Sequence, residues 1–377
     1  MARTKVNQHY VPRSFMRAWA DDDKKVKIYH ITQRREVARN PLTQTCADNY
    51  FYSTNTAVET KLGDLNGKHM YPLNHIRDGG SLIALDDRER SLLKSFAAVQ
   101  RMRTEQMREG VYASGADFIR DIIKRSYADE IPDKKTLEIV ADYEIDKRMV
   151  SAHHLLLQHG ILGFLAFDDL GMLLLRNETE REFICSDAPV VLDNPRFKKS
   201  RELSYAGIAN TGLVVYCPIS PDELIVLYDP QAYKVVASRR DKVEVTDPAV
   251  VDDLNYLQLV SANDIAFYNS TDEAYVQDIH RRVDHVEETY EVEHKYEFES
   301  GYSVEQRYSP PEQIPTLTAG IDELAWKPGG GEYTIERDSP MIGVQYRLAQ
   351  KIREVADSDE EHLIKSINCC LQIHDAV

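Results

Sequence analysis

Long apolar runs and paired cysteines are what this sequence of 377 residues lacks. No stretch approaches the roughly 18–20 apolar residues that a membrane span requires. The N-terminal residues carry positive charge without an apolar segment behind them, so no signal peptide is expected. The five cysteines are scattered and include no C-x-x-C pair, which argues against a disulfide framework and a zinc knuckle. These absences predict a cytoplasmic protein that does not associate with membranes.

The common nucleotide-binding and hydrolase motifs are absent as well. There is no Walker A loop, no Rossmann glycine fingerprint, no G-x-S-x-G elbow and no HExxH pair. His154 is therefore predicted to be a buried core histidine. The formal net charge is −16, from 46 basic and 62 acidic residues. Such a charge counts against broad, nonspecific binding of nucleic acid, although a local basic groove remains open.

Hydrophobic periodicity predicts helices and strands that are segregated along the chain rather than alternating. This segregation favours an α+β fold with a mostly antiparallel sheet over a doubly wound sheet. We also predict a β-hairpin in which 172–175 pairs with 183–185. One predicted helix begins at Thr56. The other predicted helices cover about 88–109, 134–168, 248–262, 340–356 and 358–374. The other predicted strands are 26–31, 50–52, 213–216, 224–228 and 265–268.

A change in composition near residue 285 predicts a domain boundary. Within residues 284–299, acidic side chains alternate with apolar ones. Residues 300–331 contain the prolines and glycines that are typical of a linker. We therefore predict an α+β core domain over 1–285 that carries the candidate site. An acidic strand and linker with a C-terminal helical extension would occupy 286–377.

The most distinctive motif is Gln8-His9-Tyr10-Val11-Pro12-Arg13. Histidine can transfer a proton near neutral pH or bind a metal, and arginine offers a planar fork to a phosphate or carboxylate. The alternative is that His9 and Arg13 cap local carbonyls while their neighbours pack inward. The run also resembles the first histidine element of HNH-type nucleases, in which the histidine activates a water molecule. The later asparagine and histidine of that pattern have no clear equivalents in this sequence.

Four further side chains are candidates for the same site. Glu59, near the start of a predicted helix, is suited either to a metal or to the helix dipole. Gln100 and Arg103 share a helix face and could hold a phosphate, or could simply be exposed. Asp187 follows a predicted strand, where it would present a carboxylate at the rim of the sheet or close the strand by an Asx turn.

Taken in order, these segments resemble a bacterial family, domain-of-unknown-function family 4238. That family often has a second carboxylate one or two turns after Glu59, where this chain has Asn66. The resemblance supports the choice of polar residues and brings no established activity with it. The matching segments are Gln8–Arg13, Glu59 with Leu62, Gln100 with Arg103 and Thr104, Phe183–Pro189, Pro218–Pro221, and Leu254 with Asn255.

Two functions are compatible with these residues. The first is a metal-assisted hydrolase, in particular a nuclease that cuts a phosphodiester, with a role in bacterial defence as a further expectation. His9, Glu59 and Asp187 would be catalytic, and Glu59 and Asp187 would hold Mg²⁺ or Mn²⁺. Arg13, Gln100, Arg103 and Asn255 would bind the nucleic acid. The second is a noncatalytic module that binds an anionic ligand or a protein partner.

Overall fold

Helices and strands account for most of the chain in the computed structural model. It describes residues 7–52, 56–110, 133–196, 207–236, 242–283, 289–298, 301–309, 324–327, 336–355 and 360–376, and a few isolated positions between these ranges. None of the helices within these ranges combines the length and apolar composition that crossing a membrane requires. The helices are α1 (Arg13–Met16), α2 (Thr56–Arg77), α3 (Asp87–Met102), α4 (Lys134–Ala166), α5 (Pro248–Ser261), α6 (Glu273–Arg281), α7 (Pro340–Val355) and α8 (Glu360–Ala376).

The described strands are two to ten residues long and occur in all three thirds of the chain. In chain order they are β1 (Asn7–His9), β2 (Lys25–His30), β3 (Arg35–Pro41), β4 (Ala47–Asn49), β5 (Gly171–Asn177), β6 (Cys185–Ser186), β7 (Val191–Asp193), β8 (Val214–Pro218), β9 (Glu223–Tyr228), β10 (Tyr233–Val235), β11 (Lys242–Val245), β12 (Ile265–Tyr268), β13 (Thr289–Phe298), β14 (Gly301–Ser309) and β15 (Leu324–Trp326). Two short helical turns of the 3₁₀ type cover Arg17–Trp19 and Leu82–Ala84.

Two sheets form the centre of the fold. The larger has the strand order β11-β5-β9-β8-β7, and the smaller has the order β3-β2-β12-β6. Among the described strand pairings, only that of β11 with β5 is parallel. The prediction of an α+β fold with mostly antiparallel pairing is therefore confirmed.

The predicted hairpin between 172–175 and 183–185 is wrong, because its two strands belong to different sheets. β5 pairs with β9 and β11, whereas β6 pairs with β12, which lies about eighty residues further along the chain. The polar connection 177–182 thus passes from one sheet to the other and does not close a hairpin. The predicted strand 50–52 is also wrong, because those residues form turns and the strand ends at Asn49.

Local sequence chemistry explains where the central helices begin. The carboxylate of Asp86 accepts a hydrogen bond from the backbone N–H of Glu89 at 2.8 Å, and the Glu89 carboxylate accepts one from the N–H of Asp86 at 2.8 Å. This reciprocal pair is a capping box, which satisfies two helix N–H groups that have no partner within the helix. Asp247 caps α5 by accepting a hydrogen bond from the N–H of Ala249, and Pro248 occupies the first helical position, where its missing N–H is harmless.

The C-terminal helices are packed onto the rest of the molecule. Ile367 and Cys370 of α8 belong to the same apolar cluster as Phe15 and Phe96. Strand β15 pairs with β10, which lies before the predicted boundary. Part of the predicted linker 300–331 is described, and it forms strands β14 (Gly301–Ser309) and β15 (Leu324–Trp326). The division at residue 285 stays a prediction.

Arg337 ties the segment before α7 to the core. Its guanidinium donates to both carboxylate oxygens of Asp169, at 2.9 and 3.1 Å. It also donates to the carbonyls of Ala166, Ile208 and Asn210. The side chain of Arg337 has no exposed surface. A buried cation with so many acceptors couples the two parts of the chain, because its loss leaves several of these groups without a partner.

Replacing Arg337 with methionine tests this coupling. We expect the free energy of unfolding to fall by about 3–5 kcal/mol, the usual cost of breaking a buried ion pair on one side. Urea denaturation followed by circular dichroism measures the change. Arg281→Met is the matched control, since the Arg281–Asp278 pair is about two-thirds exposed on both sides. A shift confined to a separate minor transition would instead support an independent C-terminal domain.

Candidate functional site

The N-terminal motif forms a buried polar junction between β1, α3 and the segment before α2. Gln8 is almost fully buried, and its side-chain oxygen accepts a hydrogen bond from the backbone N–H of Tyr52 at 2.7 Å. The Tyr52 hydroxyl in turn donates to the carbonyl of His9 at 3.0 Å. The motif therefore fixes the backbone of its own neighbourhood.

Arg103 lies at the centre of this junction and is 2% exposed. Its guanidinium donates to the Tyr52 hydroxyl at 2.9 Å, to the Asn66 side-chain oxygen at 2.8 Å and to the His9 carbonyl at 2.8 Å. These three bonds join the C-terminal end of α3 to α2 and β1. The amide oxygen of Asn66, which stands where the resembling family often has a carboxylate, thus serves as an acceptor for Arg103.

Gln100 and Glu59 extend the junction on either side. The side-chain nitrogen of Gln100 donates to the Tyr10 carbonyl at 2.9 Å. Its oxygen is buried and has no hydrogen-bond partner among the residues that the structure describes. Glu59 is half-buried in the first turn of α2, and its charge is one of the influences that raise the pKa of Tyr52, although burial is the largest.

The two functional groups of the predicted His9–Arg13 pair lie in different environments. The Nε2 atom of His9 is 3.1 Å from the carbonyl of Leu42, so this nitrogen carries a proton and donates it. The Arg13 side chain is exposed to solvent at the start of α1. The structure describes no contact that brings the two side chains together.

Asp187 is a buried carboxylate, 1% exposed, that closes the junction of β6 with β12. Its two oxygens accept hydrogen bonds from the backbone N–H groups of Asn263, Asp264 and Ile265, each at 2.8 Å. Burial raises the pKa of this carboxyl to about 6, against the opposing effect of the three N–H donors. The arrangement corresponds to the strand-closing alternative of the sequence analysis.

Asn255 on α5 is also a side chain that forms hydrogen bonds to backbone groups. Its side-chain oxygen accepts from the backbone N–H of Ile184 at 2.8 Å, and its nitrogen donates to the carbonyl of Glu182 at 2.9 Å and to the Tyr275 hydroxyl at 3.0 Å. All of its hydrogen-bonding groups are thus used within the fold. The structure brings Gln100, Arg103 and Glu59 to one junction and places Asp187 and Asn255 in other backbone contacts.

Metal binding by the predicted ligands has no support in the geometry. Across the described parts of the chain, which include His9, Glu59 and Asp187, no group of three or more His, Cys, Asp or Glu side chains could hold a metal ion. The divalent-metal assignment of Glu59 and Asp187 stays a prediction. The oxygens of Asp187 already accept from three backbone N–H donors.

Two neighbouring histidines of α4 contact Tyr52. His154 donates from Nε2 to the Tyr52 carbonyl at 2.8 Å, and its full burial confirms the predicted core histidine. The ring of His153 stacks on Tyr52 with centroids 5.6 Å apart and an interplanar angle of 22°. Burial lowers the pKa of His153 to about 3, and the neighbouring His154 adds to this effect.

A cleft that the sequence analysis did not identify lies elsewhere, between the two sheets. Its volume is about 740 Å³. The connection 177–182 forms one wall, the turn 220–223 forms a second, and residues 269–270 after β12 form a third. None of the seven predicted site residues lines it. The lining residues are Ala18, Arg77, Gly79, Arg176, Asn177, Glu178, Thr179, Glu180, Arg181, Glu182, Ser220, Pro221, Asp222, Glu223, Asn269 and Ser270.

Several segments of the sequence pattern hold the walls of this cleft in place. The indole N–H of Trp19 donates to the Phe183 carbonyl at 2.8 Å, and the N–H of Phe183 donates to the Pro221 carbonyl at 2.7 Å. Asn255 holds the carbonyl of Glu182. The signal that could have revealed the cleft is the run of charges at 178–182, which directly precedes an apolar strand.

The fold and this cleft define an α+β protein with a charged groove between two mostly antiparallel sheets. A family model described as "Protein of unknown function (DUF4238)" matches residues 7–272, and the chain belongs to this family. The match covers more than two thirds of the sequence and includes every residue that lines the cleft. No curated protein and no solved structure matches the chain.

Replacing Arg103 with methionine separates a structural role from a recognition role. Three hydrogen bonds are lost and the Tyr52 hydroxyl, Asn66 and His9 lose an interior partner, so we expect the free energy of unfolding to fall by about 3–5 kcal/mol. Arg13→Met, at an exposed position, is the control and should change it by less than about 0.5 kcal/mol. Equal stability of the two variants in urea denaturation would contradict the structural role of Arg103.

His153 should make the protein sensitive to acid. The unfolded chain binds a proton at this residue below a pH of about 6.5, whereas the folded chain does so only near pH 3. Its contribution to stability is therefore present above pH 6.5 and is lost as the pH falls towards 3. Between pH 7 and 4.5, the unfolding free energy of the wild type should fall by about 2–3 kcal/mol more than that of His153→Phe. His75→Gln, at an exposed position, should match the wild type; a His153→Phe profile parallel to the wild type would refute the assignment.

Proposed function

We propose that this protein is a ligand-binding protein and that the cleft between its two sheets is the binding site. One observation carries the proposal: a cleft of about 740 Å³ has a charged lining that includes a buried carboxylate, one oxygen of which has no hydrogen-bond partner among the described residues. Ligand sites in proteins are concave, usually about 300–1,000 Å³ in volume, and contain a few polar groups that orient the ligand.

The proposal favours binding over hydrolysis because of where the polar atoms of the predicted catalytic residues are used. Asp187 accepts three backbone N–H groups, and Arg103 donates to three acceptors in the protein interior. A residue of this kind is costly to redirect towards a substrate, because its present partners would be left unsatisfied in the interior. The metal-assisted nuclease stays a prediction that an activity assay can decide.

The position of the cleft supports the same conclusion. Its walls come from connections that follow or precede strands of both sheets, and buried hydrogen bonds to Trp19 and Asn255 hold the backbone around Glu182. Loops that are supported by a rigid scaffold are common positions for binding residues. The site therefore lies on connecting segments whose backbone is held by buried hydrogen bonds.

A thermal-shift experiment tests the cleft as a binding site. Ser270, exposed at the cleft, is replaced with tryptophan to fill it, and Thr246→Trp, exposed outside the cleft, is the matched control. Small charged molecules, including agmatine, inorganic phosphate and citrate, are added to each protein. We expect at least one of them to raise the Tm of the wild type and of Thr246→Trp, but not of Ser270→Trp.

The same preparations test the rival function. With Mg²⁺ or Mn²⁺ and either DNA or RNA, we expect no cleavage by the wild type. Cleavage that chelation stops and His9→Ala abolishes would contradict the proposal and support the hydrolase. A ligand-induced rise in Tm that survives Ser270→Trp unchanged would place binding outside the cleft.

A further inference from the structure

Glu182 is the most unusual side chain in the cleft. It is 4% exposed, and its Oε1 atom accepts hydrogen bonds from the backbone N–H groups of Asn269 at 3.1 Å and Thr271 at 2.6 Å. Its Oε2 atom is buried and has no hydrogen-bond partner among the residues that the structure describes. A buried carboxylate oxygen without a partner destabilises the fold, so its presence at the wall of a cleft calls for a physical reason.

The neighbours of Glu182 in the cleft give the site an excess of negative charge. Glu178, Glu180 and Asp222 line the cleft, and the structure describes no ion pair for any of them within its described residues. Burial raises the pKa of Asp222, and the charges of Glu182 and Glu178 raise it further. These carboxylates repel one another, and an added positive charge would relieve that repulsion.

The three arginines of the cleft already have partners. Arg77 donates to the carbonyls of Ile219 and Phe15, at 2.7 and 2.9 Å. Arg176 pairs with Glu223 at 2.7 Å, and Arg181 pairs at 2.6 Å with Asp252, which is not part of the cleft lining. An anionic ligand would have to compete with these partners. A cation would instead meet Glu178, Glu180 and Asp222, for which the described residues supply no ion pair.

We propose that the cleft binds a ligand through a cationic nitrogen group, an ammonium or guanidinium, whose N–H donates to Oε2 of Glu182. This inference rests on the proposed function and adds the chemical class of the ligand. Glu178, Glu180 and Asp222 contribute attraction from the cleft wall. The formal net charge of −16 adds a long-range attraction for cations.

An organic cation fits this site better than a metal ion. Across the described residues, no three acidic, histidine or cysteine side chains are grouped so that they could hold a metal. Mg²⁺ requires near-octahedral oxygen coordination, and Ca²⁺ requires six to eight oxygens. A buried carboxylate oxygen without a partner among the described residues, on a side chain that lines a cleft of about 740 Å³, instead suits a hydrogen-bond donor on a larger molecule.

Isothermal titration calorimetry of the full chain with agmatine tests the inference, because agmatine carries a guanidinium at one end and an ammonium at the other. The variant is Glu182→Gln, in which the amide oxygen can still accept from Asn269 and Thr271 while an NH₂ group replaces Oε2. Loss of a charge-assisted hydrogen bond should raise the Kd for agmatine at least about tenfold. Glu130→Gln, exposed and outside the cleft lining, should leave the Kd unchanged.

A second arm replaces agmatine with a capped Gly-Arg-Gly peptide, which distinguishes a small amine from the basic side chain of a protein partner. Binding of either probe that weakens in Glu182→Gln supports the inference. Failure of both probes to bind, equal affinity for wild type and Glu182→Gln, or Mg²⁺ binding that depends on Glu182 would overturn it. Phosphate or citrate binding that Ser270→Trp abolishes would leave the cleft as a binding site and refute the cationic ligand alone.

Discussion

The side chain of Asn255 imposes the constraint on which the cleft depends. It donates a hydrogen bond to the carbonyl of Glu182 and accepts one from the N–H of Ile184, so it fixes the backbone on both sides of Phe183. Trp19 holds the carbonyl of Phe183 itself. A backbone segment that leaves one sheet and enters another would otherwise carry unpaired polar groups into the interior. These side-chain bonds supply the partners that a hairpin ladder would have given.

The polar residues of the sequence pattern act on the same principle elsewhere in the molecule. The side chains of Gln8, Arg103 and Asp187 all make hydrogen bonds to backbone groups that no regular strand pairing satisfies. Such residues tolerate few substitutions for structural reasons alone, because a lost partner leaves a buried donor or acceptor behind. A polar motif in a sequence therefore indicates either a functional site or a segment of irregular backbone. Burial of its side chains, with backbone groups as their partners, favours the structural role.

Local sequence signals predicted most of the elements and few of their partners. The strand at 265–268, a short apolar run, has the predicted bounds, and the helix that begins after Asp247 follows from its cap and proline. The predicted hairpin at 172–185 was wrong, because its two strands pair with strands that are distant in sequence, β9 and β12, and not with each other. The run of charges at 178–182 is a sequence signal for one wall of the cleft. The other walls could not be predicted, because Glu182, Ser220 and Asn269 meet only after both sheets have formed.

The account depends most on what lies against the Oε2 atom of Glu182. A crystal structure of the protein with agmatine examines it directly. We expect a nitrogen of the ligand about 2.7–2.9 Å from Oε2, the usual length of a charge-assisted hydrogen bond, with Oε1 still bonded to Asn269 and Thr271. Agmatine bound outside the cleft, or a side chain of the protein already occupying that position next to Oε2, would contradict the account.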